Sequence, residues 1–182
     1  IFADFDRTGG PGCALGVVRD GRLACAKGYG IANLDDRTHV VRNRTVGYAP
    51  AEHGFKMIHR WNSEDVGASG MYASIEDLAR WDRNFGTERI GGGGFTDQMT
   101  TRGRLANGDT LGYAFGLSVG TYRGQRTVGH KGGSPGFRTQ YLRFPETGRS
   151  IIVLCNSESA DVETRTYSVA DIILEDRLAS RK

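Results

Sequence analysis

A chain of 182 residues, 38% hydrophobic, is long enough for one domain with a single sizeable core, and one domain over 1–182 is the expectation. Lys and Arg outnumber Asp and Glu by 24 to 21 without forming a block, which argues against a nucleic-acid partner or an anionic membrane surface. No apolar run approaches the roughly 20 residues of a spanning helix. Ile1-Phe2-Ala3-Asp4 carries neither half of an export signal, but a removed leader would leave no trace, so the compartment stays open.

In chain order, Ile1 to Phe5 reads as the end of an amphipathic helix. Beyond Gly9-Gly10-Pro11, the stretch Cys13 to Arg19, then Asp20-Gly21, then Arg22 to Ile31 is a hairpin, because Asp-Gly suits the positive-φ positions of a type I′ turn. Pairing Arg19 with Arg22 sets Cys25 opposite Gly16 and Cys13 opposite Gly28, on opposite faces, so those two cysteines should not bond. With Cys155 they make an odd count of three at no metal-ligand spacing, and buried free thiols are expected. Leu15 and Val17 on one face and Ala14 and Val18 on the other require cover on both sides of the sheet.

Asn33 to Arg44 is polar and reads as an extended connection. Ser74-Ile75-Glu76-Asp77 has the cap and first-turn acids of a helix start, followed by Leu78, Ala79, Trp81 and Phe85 and stopped near Gly86. Gly91 to Gly94 reads as a flexible loop, since no Lys-Ser/Thr follows it. Strands are expected at Gly112 to Val119, Arg126 to His130, Phe137 to Phe144 and Ser150 to Cys155, the last apolar on both faces and therefore central. Val169, Ile172, Ile173 and Leu178 recur at helical spacing and predict a closing helix. The fold class is α+β, an α/β sandwich: an antiparallel sheet of about five to six strands with N- and C-terminal helices packed on it.

The order of three stretches resembles the serine β-lactamase superfamily, in its branch of class C β-lactamases, D-alanyl-D-alanine carboxypeptidases, D-aminopeptidases and β-lactamase-like esterases. Pro11 to Arg22, continuing through Lys27-Gly28-Tyr29-Gly30-Ile31-Ala32-Asn33, is similar to the first hairpin of that family. Ser74 to Trp81 is similar to the helix after its active-site lobe. His130-Lys131-Gly132-Gly133-Ser134-Pro135-Gly136-Phe137, running on to Asn156, resembles the strand with its third motif and the strand after it. The chemistry of the family needs a Ser-x-x-Lys pair on a helix and a Tyr-x-Asn motif. Neither pattern occurs in this sequence. Both belong to a helical lobe inserted after the first hairpin, so the resemblance implies a lobe absent from these residues, with the junction near 34–36.

By resemblance, His130 and Lys131 would touch a substrate carboxylate or acyl group, Gly132 completes the motif, and the Gly133 N–H would be one oxyanion donor. Gly132-Gly133-Ser134-Pro135-Gly136 also fits the letters of a nucleophile elbow, which makes Ser134 a candidate nucleophile. An elbow requires a helix after the turn, however, whereas a strand is expected from Phe137. His39, His53, His59 and His130 have no ligand spacing, so no metal or cofactor is expected. Three functions compete: a truncated serine hydrolase domain, catalytically incomplete alone; an active hydrolase using Ser134 or a lobe from another chain; and a non-catalytic interaction module. The implied ligands are small carboxylates, esters or β-lactams. The sheet face and helix near Trp81 that the lobe would have covered imply a homo-oligomer or a partner chain.

Overall fold

A computed structural model describes residues 1–32, 44–58, 67 and 69–180. The expected connection from Asn33 and the junction at 34–36 lie outside the described residues, as do His39 and His59. The elements are β1 (Cys13–Arg19), β2 (Arg22–Tyr29), β3 (Gly47–Pro50), β4 (Phe55–Ile58), α1 (Ile75–Thr87), α2 (Phe95–Thr100), β5 (Ser118–Tyr122), β6 (Gln125–Ser134), β7 (Phe137–Phe144), β8 (Arg149–Cys155) and α3 (Val162–Ile173). Six strands form one antiparallel sheet in the order β2-β1-β8-β7-β6-β5, while β3 and β4 pair separately.

Alternation along the central strands divides the core between the two faces. Ile151, Val153 and Cys155 of β8 join Leu15, Leu142 and Phe144 under α3, whose Val162, Val169 and Ala170 face them. Ile152 and Val18 join Val128 and Tyr141 under α1, where Ile75, Ala79 and Phe85 close the opposite face. This is the two-sided cover that β1 required.

The two-residue turn at Asp20-Gly21 forms, with φ of 50° and 70°. Its register differs from expectation: Cys25 pairs with Val17 and Cys13 with Tyr29, because Ala24 is an extra residue at a bulge. The thiol expectation is also corrected. Cys13 and Cys155 are register partners on β1 and β8 and form a disulfide across 142 residues, while Cys25 is free and exposed. Nothing local signals that pairing, since it depends on β8 inserting beside β1.

The expected N-terminal helix is replaced by turns, with Phe5 N–H donating to Phe2 O at 3.0 Å and Asp6 N–H to Ala3 O at 3.3 Å. The stretch before Gly9-Gly10-Pro11 is too short to nucleate a helix. Phe2 and Phe5 are held in the core instead, and Phe2 stacks on Tyr29 at 4.8 Å between ring centroids.

Helix α1 starts as its sequence dictates. The Ser74 hydroxyl accepts from Asp77 N–H at 3.1 Å and the Asp77 carboxylate accepts from Ser74 N–H at 3.1 Å, a reciprocal capping box. The helix runs past Gly86 and ends at Glu88, which adopts φ of 47°. The Glu88 carboxylate accepts from Thr96 N–H at 2.9 Å and Gly94 N–H at 3.0 Å, and these bonds hold its pKa below the usual value. A carboxylate of the chain itself thus takes the amides at the end of the glycine run.

The other helices and β5 depart further from expectation. Helix α3 begins at Val162, where the Asp161 carboxylate caps Thr164 N–H at 3.0 Å. Ile172 is exposed and Leu178 lies beyond the helix end. Strand β5 lies further on than Gly112 to Val119, because Arg123-Gly124, at φ of 45° and 85°, makes a second tight hairpin turn. Trp81 is not left open: it meets Phe85 and Phe95 edge-on, with centroids 5.8 and 5.6 Å away. The exposed apolar side chains lie elsewhere, among them Met71, Ile90, Leu111 and Phe115. Among the described residues no helix is long and apolar enough to cross a membrane.

Candidate active site

The central feature is the far half of β6. Ser134 and Phe137 flank a two-residue turn in which Gly136 takes φ of 81°. In such a hairpin the flanking pair exchanges hydrogen bonds, and so does every second pair along the ladder. Gly132 and His130 therefore bond to β7, and the backbone groups of Gly133 and Lys131 point to the opposite edge. Strand β5 reaches only to the Ser118↔Gly129 pair. Among the described residues no strand pairs with the outer edge of β6 at Lys131 and Gly133, so the Gly133 N–H is turned toward an edge without a strand partner.

Side chains alternate along the same stretch. His130 is on the face that carries α1, where Tyr113 Oη lies 2.9 Å from its Nε2 with the rings 5.9 Å apart. Lys131 turns to the α3 face and pairs with Glu163 at 2.8 Å, a contact that raises its pKa. The structure thus parts the side chains of His130 and Lys131 and keeps only the Lys131 backbone on the open edge. A Cβ on Gly132 would lie 2.2 Å from Thr139 Oγ1, so the glycine lets the Thr139 hydroxyl approach β6.

Ser134 ends β6, and β7 follows the turn directly. The elbow context is therefore not met. His130 and Ser134 share a face but stand about 13 Å apart at roughly 3.3 Å per residue of strand, beyond proton-transfer reach. The Arg138 guanidinium holds this corner by donating to Ser134 O at 3.1 Å and Phe137 O at 2.7 Å.

The turn is braced from outside by the chain that returns after residue 43. Tyr48 N–H donates to Gly136 O at 3.3 Å and to Asn156 O at 3.0 Å. Asn156 also accepts from Gly12 N–H at 2.6 Å, and its amide donates to Ala32 O at 2.9 Å and Val46 O at 3.0 Å. One buried side chain thus ties together the chain up to residue 32 and the chain from residue 44 on, and Thr45 Oγ1 donates directly to Ala32 O at 2.7 Å. The close approach has a strict consequence at Gly136, where a Cβ would lie 2.6 Å from Gly47 Cα. Gly136→Ala is expected to cost about 2 kcal/mol or more, from the left-handed backbone and the forced shift of Gly47. Urea unfolding measures it, and a midpoint equal to that of the parent would refute the brace.

The residue that the sequence does not single out is Glu163, which only folding brings to Lys131 of β6. Tyr113 lies in the Gly112–Val119 stretch that was read as strand, and only the bridge from Tyr113 to Ser118 brings it beside His130.

An antiparallel sheet with a terminal helix on one face, a capped helix on the other and an open strand edge at a glycine-rich corner is the architecture of the serine β-lactamase and penicillin-binding-protein superfamily. The Beta-lactamase family matches residues 37–174, and the chain belongs to that family. A D-aminopeptidase from Cereibacter sphaeroides is 27% identical over 115 residues, covering 63% of this chain and 21% of the relative. A D-aminopeptidase from Brucella ovis is 30% identical over 121 residues, covering 64% and 22%. Among solved structures, the penicillin-binding protein from Bacillus halodurans superposes with a TM-score of 0.59 at 18% identity, covering 75% of this chain and 42% of that one. The octameric penicillin-binding protein homologue from Pyrococcus abyssi gives 0.57 at 17% identity, covering 75% and 32%. The chain therefore spans about a fifth of the length of those D-aminopeptidases and less than half of either solved chain.

Proposed function

We propose that these residues are the sheet-bearing part of a serine hydrolase of the acyl-transfer type. In this reading the β6 edge forms one wall of the site and a helical lobe outside these 182 residues supplies the nucleophile and its lysine. The observation that carries the reading is the outward Gly133 N–H, placed where a substrate carbonyl lying along β6 would meet a donor. His130, steadied by Tyr113, would face the carboxylate or acyl group of an ester, β-lactam or D-amino-acid peptide. The second oxyanion donor would be the amide of the missing nucleophile, and a single missing donor costs about a hundred- to a thousand-fold in rate. The chain alone is therefore catalytically incomplete. The exposed Met71, Ile90, Leu111 and Phe115 support docking of a lobe-bearing partner or a second copy, and the octameric homologue supports association.

The test is turnover of a chromogenic cephalosporin and a p-nitrophenyl ester by the pure chain, alone and mixed with a lobe polypeptide from a D-aminopeptidase. No turnover alone, unaltered by Ser134→Ala, and turnover with faster sedimentation on mixing are expected. Hydrolysis by the chain alone that Ser134→Ala abolishes would overturn this reading in favour of a self-sufficient hydrolase.

A further inference from the structure

A recess lies on the same face of β6, four residues before His130. It is a groove of about 530 Å³ between α2 and the outer edge of β5, and its walls include Asp97, Thr100, Arg102, Gly120, Thr121 and Arg126. The β5 edge is open there. Val119 N–H donates outward to Gly112 O at 2.9 Å, so alternation turns the Thr121 N–H and C=O outward as well. Among the described residues no strand pairs with that rung.

Of the charges around it, Arg102 is held in place. Arg102 directs Nε to Leu111 O at 2.5 Å and Nη2 to Thr110 O at 3.4 Å, which fixes its guanidinium and leaves Nη1 over. Among the described residues Arg126 makes one long contact, from Nη2 to Thr100 O at 3.5 Å, which leaves most of its fork available. Asp97 pairs with neither arginine. Two guanidiniums against one carboxylate suit a ligand with a single negative charge and disfavour a dense polyanion. A free strand rung beside them suits an extended peptide backbone, which supplies both a donor and an acceptor.

We propose that this groove binds an extended peptide carrying one carboxylate. Its backbone exchanges hydrogen bonds with Thr121 while the carboxylate lies between Arg126 and Arg102. The site needs neither the nucleophile nor the lobe, so it stands apart from the acyl-transfer reading.

The test is titration of the ¹⁵N-labelled full chain with acetyl-Thr-Val-Thr-Glu-amide. Saturable shifts of the Gly120 and Thr121 amides are expected, with no binding of the same peptide ending in Lys. Arg126→Gln should weaken binding at least about tenfold, the usual scale for one charge-assisted hydrogen bond. Thr121→Pro should abolish it while the Val128 amide stays in place, because proline is tolerated where an edge strand's N–H faces solvent. If Thr121→Pro disturbs Val128, Arg126→Gln alone decides. Equal binding of the Lys peptide, unchanged affinity in Arg126→Gln, or the same shifts from inorganic phosphate at equal concentration would overturn the proposal.

Discussion

Asp82→Ala should destabilise the chain by about 3–5 kcal/mol, the usual cost of removing one partner from a buried ion pair. Asp82 sits on α1 with no exposed surface, and its Oδ1 accepts from Arg143 Nη1 at 2.8 Å, Tyr141 Oη at 2.6 Å and Ser150 Oγ at 2.5 Å. One oxygen thus fastens α1 to β7 and β8 together. Truncation would leave two hydroxyls and a guanidinium that is 14% exposed without their acceptor. Asp82→Asn preserves shape and should cost less. Burial, then the Asp82 charge, raises the Tyr141 pKa well above its ordinary value. A raised folded-state pKa means the folded chain keeps a proton that the unfolded chain loses. That contribution is complete below the ordinary tyrosine value of about 10 and disappears as pH rises through the folded-state value. Urea unfolding at pH 7 and under alkali measures both effects. A loss under about 1 kcal/mol for Asp82→Ala would show that the cluster does not fasten the helix.

Reduction of the Cys13–Cys155 disulfide should cost about 2–4 kcal/mol, with a chain-entropy ceiling of roughly 5 kcal/mol for a loop this long. The two ends are 142 residues apart, and both cysteines are almost fully buried. At about 2–4 °C per kcal/mol for a chain of this size, Tm should fall by roughly 5–15 °C in reductant, and Cys155→Ser should reproduce most of the fall. Cys25→Ser, which removes the free thiol, should leave Tm in place. An unchanged Tm after thiol titration confirms reduction would mean the bond adds nothing to stability.

Features written in neighbouring residues were readable in advance: the Asp20-Gly21 turn, the Ser74 cap with its acids, and the doubly apolar Ile151 to Leu154. So was the family, because its stretches keep their order along the chain. Features decided by distant partners were not. The bulge at Ala24 slips the first hairpin by one residue and has no turn residue to announce it. The disulfide depends on which strand lies beside β1. Helix α2 is six residues long and follows a glycine run, too short for periodicity to show. At the candidate site, the strand edge was legible in His130 to Gly136, but not the Tyr113 contact or the turning of Lys131 toward Glu163, since both need the sheet to exist first.

The strand order β2-β1-β8-β7 has a consequence for how the chain is made. During synthesis the first hairpin emerges ahead of the rest of its sheet, and β1 lacks its inner neighbour until β8, more than a hundred residues later, has left the ribosome. Throughout that interval a strand apolar on both faces presents an unpaired edge, the kind of surface that invites aggregation. The sheet closes only when its last strand slides between the first hairpin and β7, so completion waits on a contact of high sequence separation, which is intrinsically slow. The oxidised cysteine pair records that this late step has taken place.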